Sequence, residues 1–380
     1  MERRLRYGMI GGGPGAFIGD VHRKAIAIDG KAELVAGCFS TKYEKTLETG
    51  KEFYLDQDRL YQDYEEMAKA ESAREDGIDF VVITTPNYAH YGACKAFLNA
   101  GIAVSCDKPL CTTVEEAHEL RALAKAKNLQ FLVTYGYSGN VTAMQIRAMI
   151  KAGEIGEIRT VAGEYPQGWL AGEDLTGNKQ GEWRTDPTLS GATNCLGDIG
   201  THIENTVYRM TGLKIKRVLA KMEVIVPTRK LDDNSTVLVE YENGASGMYW
   251  SSQVAIGHDN GLRVRIYGSK GSLLWVQEES EKFHLVKEDG TLIEIHRGHA
   301  SIKEEVAKYQ RLPAGHPEGL IEAMANFYSN FIDCLVAQAS GTFTEDMIDY
   351  PTIEDGVDGV EYIAACIKSS ENGNVWVDMN

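Results

Sequence analysis

The feature that most constrains this chain lies near its start. A short apolar run, Leu5 to Ile10, breaks into Gly11-Gly12-Gly13-Pro14-Gly15-Ala16 and then into an amphipathic helical pattern, Ala16 to Ile28. A strand that ends in glycines and turns straight into a helix is the G-x-G-x-x-(G/A) arrangement. Gly11 allows the tight turn, Gly13 lets the backbone approach a pyrophosphate, and Ala16 permits close helix packing, with Pro14 and Gly15 completing the loop. The phosphates then face a helix N-terminus, whose aligned peptide dipoles amount to about half a positive charge. The implied ligand is a dinucleotide, NAD or NADP.

The rest of the first third fits that reading. Short apolar runs alternate with helical patterns, the signature of βαβ units on a parallel sheet. Strands are expected at Ala32 to Phe39, Ile78 to Thr84, Ile102 to Ser105 and Phe131 to Thr134. Helices are expected at Tyr43 to Phe53, Tyr64 to Glu71, Ala89 to Ala100, and after the capping box Thr113 to Glu116. Beyond the carboxyl end of the central strand, where nucleotides lie in such sheets, stand Thr84-Thr85-Pro86-Asn87 and then His90. After the second strand the chain reads Ser40-Thr41-Lys42, with no acid for the ribose hydroxyls; Ser40 and Lys42 suit a 2′-phosphate, so NAD and NADP both remain open.

After about residue 135 strand patterns follow one another without intervening helices: Thr160 to Tyr165, Arg217 to Val226, Ser235 to Tyr241, Ala245 to Gln253, Leu262 to Tyr267 and Ser272 to Val276. Helices at Pro317 to Ala337 and Ile353 to Lys368 finish the chain. The fold expected is α/β: an N-terminal doubly wound Rossmann domain over 1–134, and a C-terminal α/β domain over 135–380 with a large, mostly antiparallel open sheet. An open sheet face seeks a partner, which predicts a homo-oligomer, a dimer or tetramer.

Composition narrows the function. A net charge of −16 without a basic patch argues against nucleic acid and anionic membranes as partners. The seven cysteines are odd in number and lack C-x-x-C spacing, as in a reducing compartment. Arg3-Arg4 is followed at once by glycines rather than by a secretory apolar region, and a cytoplasmic location is expected. No metal site is expected.

Three residues suit alcohol oxidation, which needs a base for the hydroxyl proton and a group to polarise the oxygen beside a hydride acceptor. Lys108, in Asp107-Lys108-Pro109 after a strand, faces the cofactor crevice. Asp198 and His202 are four residues apart, on one face of a helix. Histidine's unperturbed pKa, about 6.5, suits a base near neutral pH.

These segments resemble the Gfo/Idh/MocA family of oxidoreductases. The resemblance rests on Thr85-Pro86-Asn87, His90, Ala100-Gly101, Asp107-Lys108-Pro109, Gly153-Glu-Ile-Gly156, Asp198-x-x-x-His202, Tyr267-Gly-Ser-Lys-Gly271 and Ile353-Glu-Asp-Gly356, in family order. It implies catalysis by Lys108, Asp198 and His202, and cofactor contacts from Asp107 and Lys108. Asp107 stands where the family usually has glutamate.

Sugar-type contacts are expected from Tyr135, Tyr137, Asn178, Trp183, Arg184, Asn194 and His316, since aromatic faces stack on sugar C–H groups and amides bind hydroxyls. The activity expected is NAD(P)-dependent hydride transfer at a secondary alcohol carbon of a sugar, glycoside or inositol. Two rivals stand beside it: glycoside cleavage through transient sugar oxidation, and a non-catalytic sugar or nucleotide sensor.

Overall fold

The computed structural model describes residues 3–379. Met1, Glu2 and Asn380, at the outer ends of the two expected domains, lie outside the described residues. The chain divides into two compact units, one running to Gly136 and including Leu320–Val357, the other comprising Tyr137–Gly319 and the residues from Asp358 onward.

The first unit opens with β1 (Leu5–Gly11), α1 (Phe17–Ala27), β2 (Ala32–Cys38), α2 (Tyr43–Glu52), α3 (Tyr64–Ala73), β3 (Phe80–Thr84), α4 (His90–Asn99), β4 (Ala103–Cys106), α5 (Val114–Ala126) and β5 (Phe131–Val133). The five strands are parallel, in the order β2-β1-β3-β4-β5. A single parallel bridge from Gly37 to Leu60 extends the sheet beyond β2. Strand β3, Phe-Val-Val-Ile-Thr, is buried at every position, as a strand covered on both faces must be. The chain leaves β1 toward β2 on one side and β3 lies on the other, so a crevice opens beyond the carboxyl ends of β1 and β3.

Helix starts follow their caps. Asp63 accepts the Glu66 N–H at 2.8 Å, and Thr113 accepts the Glu116 N–H at 3.2 Å. The Glu116 carboxylate reaches back to the N–H and hydroxyl of Thr112, one residue before the position a capping box requires.

The second unit contains α6 (Val141–Lys151), β6 (Ile158–Pro166), α7 (Lys179–Arg184), α8 (Pro187–Ser190), α9 (Thr201–Thr211), β7 (Ile215–Glu223), β8 (Asn234–Tyr241), β9 (Ser246–Ser252), β10 (Arg263–Gly268), β11 (Gly271–Val276), β12 (Lys282–Lys287), β13 (Leu292–His296) and α10 (Glu304–Ala307). Then come α11 (Leu320–Ser340), α12 (Ile353–Glu371) and β14 (Val377–Asp378). The sheet runs β13-β12-β11-β10-β6-β9-β8-β7-β14, antiparallel except where β6 meets β9. Strand residues alternate between a face covered by α6 and α9 and a face that is half exposed.

The structure departs from the sequence reading in two places. The expected second domain takes in everything after residue 134, yet α11 belongs to the first unit: Phe331 packs edge-on against Phe80 with centroids 5.5 Å apart, and Tyr328 meets His22. An amphipathic helix carries the mark of a buried face but not the address of the sheet it covers. Helices α6, α7, α8 and α10 and strands β12, β13 and β14 are additions to the expected elements; β13 is an edge strand and β12 lies next to it, and their outward residues Lys282, His284, Glu294 and His296 make a pattern that reads as a polar loop. Among the described residues no helix is long and apolar enough to cross a membrane.

Candidate active site

In the first unit the loop between β1 and α1 is shaped by backbone that side chains would block. Gly11 has φ +76°, and a Cβ there would lie 3.0 Å from the Thr84 carbonyl oxygen. The tight helix contact expected of Ala16 falls instead at Gly19, whose Cβ would come within 2.4 Å of the Gly12 Cα. No side chain caps α1, so its first N–H groups are left for an anion. Arg23 stacks on Phe53 at 4.3 Å and donates to the Gly12 carbonyl at 2.5 Å. This cradle fits a dinucleotide pyrophosphate.

Beyond β2 the Ser40 hydroxyl accepts the Lys42 N–H at 3.2 Å, and the Ser40 N–H is held by Thr46. Thr41 and Lys42 are exposed. No acid directly follows that strand in the sequence.

The ends of β3 and β4 are tied together. Thr84 donates to the Ile10 carbonyl at 3.3 Å. The Asp107 N–H reaches the Ile83 carbonyl at 3.0 Å, while Asp107 Oδ1 accepts the Lys108 N–H at 2.9 Å and the Thr134 hydroxyl at 3.2 Å. Lys108, half-buried, thus rises from a turn pinned at both ends; its peptide to Pro109 is cis. Buried behind it, the Tyr328 hydroxyl lies 2.5 Å from His22 Nδ1 and 2.9 Å from the Ser105 hydroxyl.

In the second unit Asp198 lies in a π-helical turn, Leu196–Gly200, that runs into α9, and His202 lies in the first turn of that helix. Such wide turns recur at functional sites because they re-aim side chains. Asp198 Oδ2 accepts from Arg184 Nε at 3.0 Å and from Gln253 Nε2 at 2.9 Å. The His202 ring packs against Tyr137 at 4.7 Å and Tyr165 at 6.0 Å between centroids. The two phenols share a hydrogen bond of 2.9 Å, and Asn260 both donates to Tyr137 and accepts from Tyr165. Burial pushes the Tyr165 phenol well above its ordinary pKa, so it stays protonated and donating.

The turn itself hangs on Asp232. Its carboxylate accepts from the Thr193 hydroxyl at 2.6 Å, the Asn194 N–H at 2.8 Å and the Leu196 N–H at 2.7 Å. Burial raises this carboxyl's pKa, and the three donors oppose the rise.

Of the residues expected to contact substrate, Tyr137 and Arg184 gather around Asp198 and His202. Asn194 lies one step behind, its amide donating to Gln253 at 2.7 Å. Trp183 lies under the Arg184 guanidinium at 4.3 Å, and Asn178 caps α7 through the Gly181 N–H. Tyr135 is buried in the first unit. His316 is exposed on a loop whose carbonyl Arg297 holds. Sequence reasoning missed Gly19, Tyr165, Asp232, Gln253 and Asn260. Only Asp232 left a trace, as a pair of acids directly before a strand.

Comparison with known proteins finds relatives over the whole chain. Residues 5–135 match the model of the oxidoreductase family with an NAD-binding Rossmann fold, and residues 143–274 match the GFO/IDH/MocA C-terminal domain. The chain is 38% identical to the uncharacterized oxidoreductase YfiI of Bacillus subtilis, over 100% of this chain and 98% of that protein. It is similar to an inositol dehydrogenase homologue from Azotobacter vinelandii solved with NAD+, at 38% identity and TM-score 0.96, covering 100% of this chain and 98% of the other. A structure of an inositol dehydrogenase homologue from the same organism, with NADH and myo-inositol, matches at 36% identity and TM-score 0.93, with the same coverage.

Proposed function

The chain belongs to the GFO/IDH/MocA family of NAD-binding oxidoreductases, and from that premise we propose that it oxidises a secondary alcohol carbon of a cyclic polyol or sugar, an inositol above all, to the ketone. When bound, the nicotinamide supplies the hydride acceptor. In this reading His202 takes the hydroxyl proton, Lys108 donates a hydrogen bond to the same oxygen, and Asp198 holds the local geometry. The observation that carries it is the setting of His202 and Asp198: an imidazole packed on two phenols, next to a carboxylate fixed by Arg184 and Gln253. Tyr137 and Asn260 offer donors and acceptors for ring hydroxyls.

The myo-inositol of the Azotobacter vinelandii homologue supports the substrate class. The first unit serves as the nucleotide domain and the second as the substrate domain. NAD+ is the working cofactor, and the lack of an acid after β2 leaves room for NADP+. The test is reduced-cofactor absorbance with NAD+ and NADP+ against a panel of inositols, aldoses and glycosides. Turnover of inositols with NAD+ supports the reading; no turnover of any panel member overturns it.

The same reading includes a homo-oligomer formed through the open face of the nine-stranded sheet. There Leu238 and Met248, directly opposed across β8 and β9, are 42% and 49% exposed. Sedimentation as a monomer at micromolar concentration would reject it. A cytoplasmic location accords with seven buried, unpaired cysteines.

A further inference from the structure

His90 is 1% exposed and stands between two turns. Its Nε2 lies 2.8 Å from the carbonyl oxygen of Thr85, in the turn after β3. Its Nδ1 lies 2.8 Å from the carbonyl oxygen of Pro109, in the turn after β4 that carries Lys108. A carbonyl oxygen only accepts, and a neutral imidazole has one N–H and one bare nitrogen. A neutral ring here would set a lone pair against a lone pair at hydrogen-bond distance at one of its two ends. Only the imidazolium donates at both.

We infer that His90 is a positioning residue for Lys108: it joins the two turns, and on the acid side of its titration it does so as an imidazolium, one N–H to Thr85 and the other to Pro109. This rests on the role given to Lys108 above, but the proton itself can be read without turnover.

The groups around the ring divide. Burial works against the charge and pulls the pKa of His90 down; the Lys108 ammonium acts in the same sense. The Asp107 carboxylate and the two carbonyls support the charge. Strand β3 brings no titratable side chain. On β4 and its turn the thiols of Cys106 and Cys111 are kept neutral by burial; Cys94 is the buried thiol of α4. From α3, Tyr64 lies beside Gly92. From α5, Glu116 is taken up by Thr112, and Glu119 by Tyr91 and Lys95. Asp107 is therefore the anion that favours the second proton, and proton and link are coupled. As pH rises through the ring's pKa, one of the two carbonyls loses its donor and the Lys108 turn loses one of its ties.

The test uses the full chain with NAD+ bound, labelled with ¹⁵N at histidine, followed by NMR between about pH 5 and 9. His90→Gln assigns the resonances, since glutamine cannot donate to both carbonyls from opposite ends. The expected result is a ring with both nitrogens protonated on the acid side, whose second proton is lost at lower pH in Asp107→Asn. His90→Gln should also lower kcat by about tenfold to a hundredfold with the Kd for NAD+ nearly unchanged. A bare ring nitrogen at every pH overturns the inference, as does a titration that Asp107→Asn leaves in place. Full kcat in His90→Gln beside an inactive Lys108→Ala overturns the positioning role. Full activity in Lys108→Ala overturns the reading of Lys108 instead, while the spectra still decide the proton. Should His90→Gln fail to fold, the wild-type and Asp107→Asn spectra suffice to establish or overturn the imidazolium.

Discussion

The Nε of Arg184 lies 3.0 Å from Oδ2 of Asp198, joining the short helix α7 to the π-helical turn that precedes α9. The two side chains are 21% and 15% exposed, and the guanidinium also covers the ring of Trp183. An arginine whose sequence context suggests a substrate contact thus has an inward partner.

Replacing Arg184 by Met keeps the bulk and removes the charge. Asp198 then has Gln253 as its remaining donor of these two, and kcat/KM should fall by about tenfold, while the partly exposed pair contributes only about 1 kcal/mol or less to stability. Steady-state kinetics beside a denaturation curve checks both. Unchanged kcat/KM would show that the pair is incidental.

Asp232 carries more of the fold than of the chemistry. Asp232→Ala strands two backbone N–H groups and a hydroxyl in the interior, so it should destabilise by about 3 kcal/mol or more. Urea unfolding monitored in the presence of NAD+ measures it. A loss under about 1 kcal/mol would mean that water replaces the carboxylate.

The glycine contact yields a prediction for the cofactor. Gly19→Ala drives a methyl into the Gly12 Cα and displaces α1 from the loop. NAD+ should bind at least about tenfold more weakly, with a stability cost of about 1–3 kcal/mol. Calorimetric titration with NAD+ decides it, and wild-type affinity would contradict the packing described.

What the sequence made legible follows from how local each signal is. The loop Gly11–Ala16 and the all-apolar β3 declare themselves within a few residues, because backbone freedom and two-sided burial leave direct marks. The return of α11 to the first unit depends on a pairing of Phe80 with Phe331 across most of the chain, which no local pattern records. Of the candidate site residues, Lys108, Asp198 and His202 stand out in the sequence through the motifs that hold them. Their supports do not: Gln253, Asp232 and Asn260 are polar residues at strand ends whose meaning is set by partners distant in sequence. The π-helical turn was equally hidden, since the spacing of Asp198 and His202 reads as ordinary α-helix.

His22, like His90, contributes to the pH dependence of the first unit's stability. Burial lowers its pKa below the ordinary histidine value. The folded state therefore holds fewer protons than the unfolded chain once pH falls below about 6.5. Stability should decline from there toward acid, by at most about 1.4 kcal/mol per pH unit for this one group, until the folded ring also protonates. His22→Asn should make that limb shallower. A stability curve of the same slope in both proteins would rule out His22 as its source.

In the proposed reaction His202 and Lys108 act on the oxygen of the alcohol being oxidised. The most direct measurement follows NADH formation from an inositol turned over by the wild type, using His202→Asn and Lys108→Ala after calorimetry has shown that each still binds NAD+. Each variant is expected to lose about 10²- to 10⁴-fold in kcat with NAD+ affinity retained. A variant of either residue that oxidises the substrate at near the wild-type rate would contradict it.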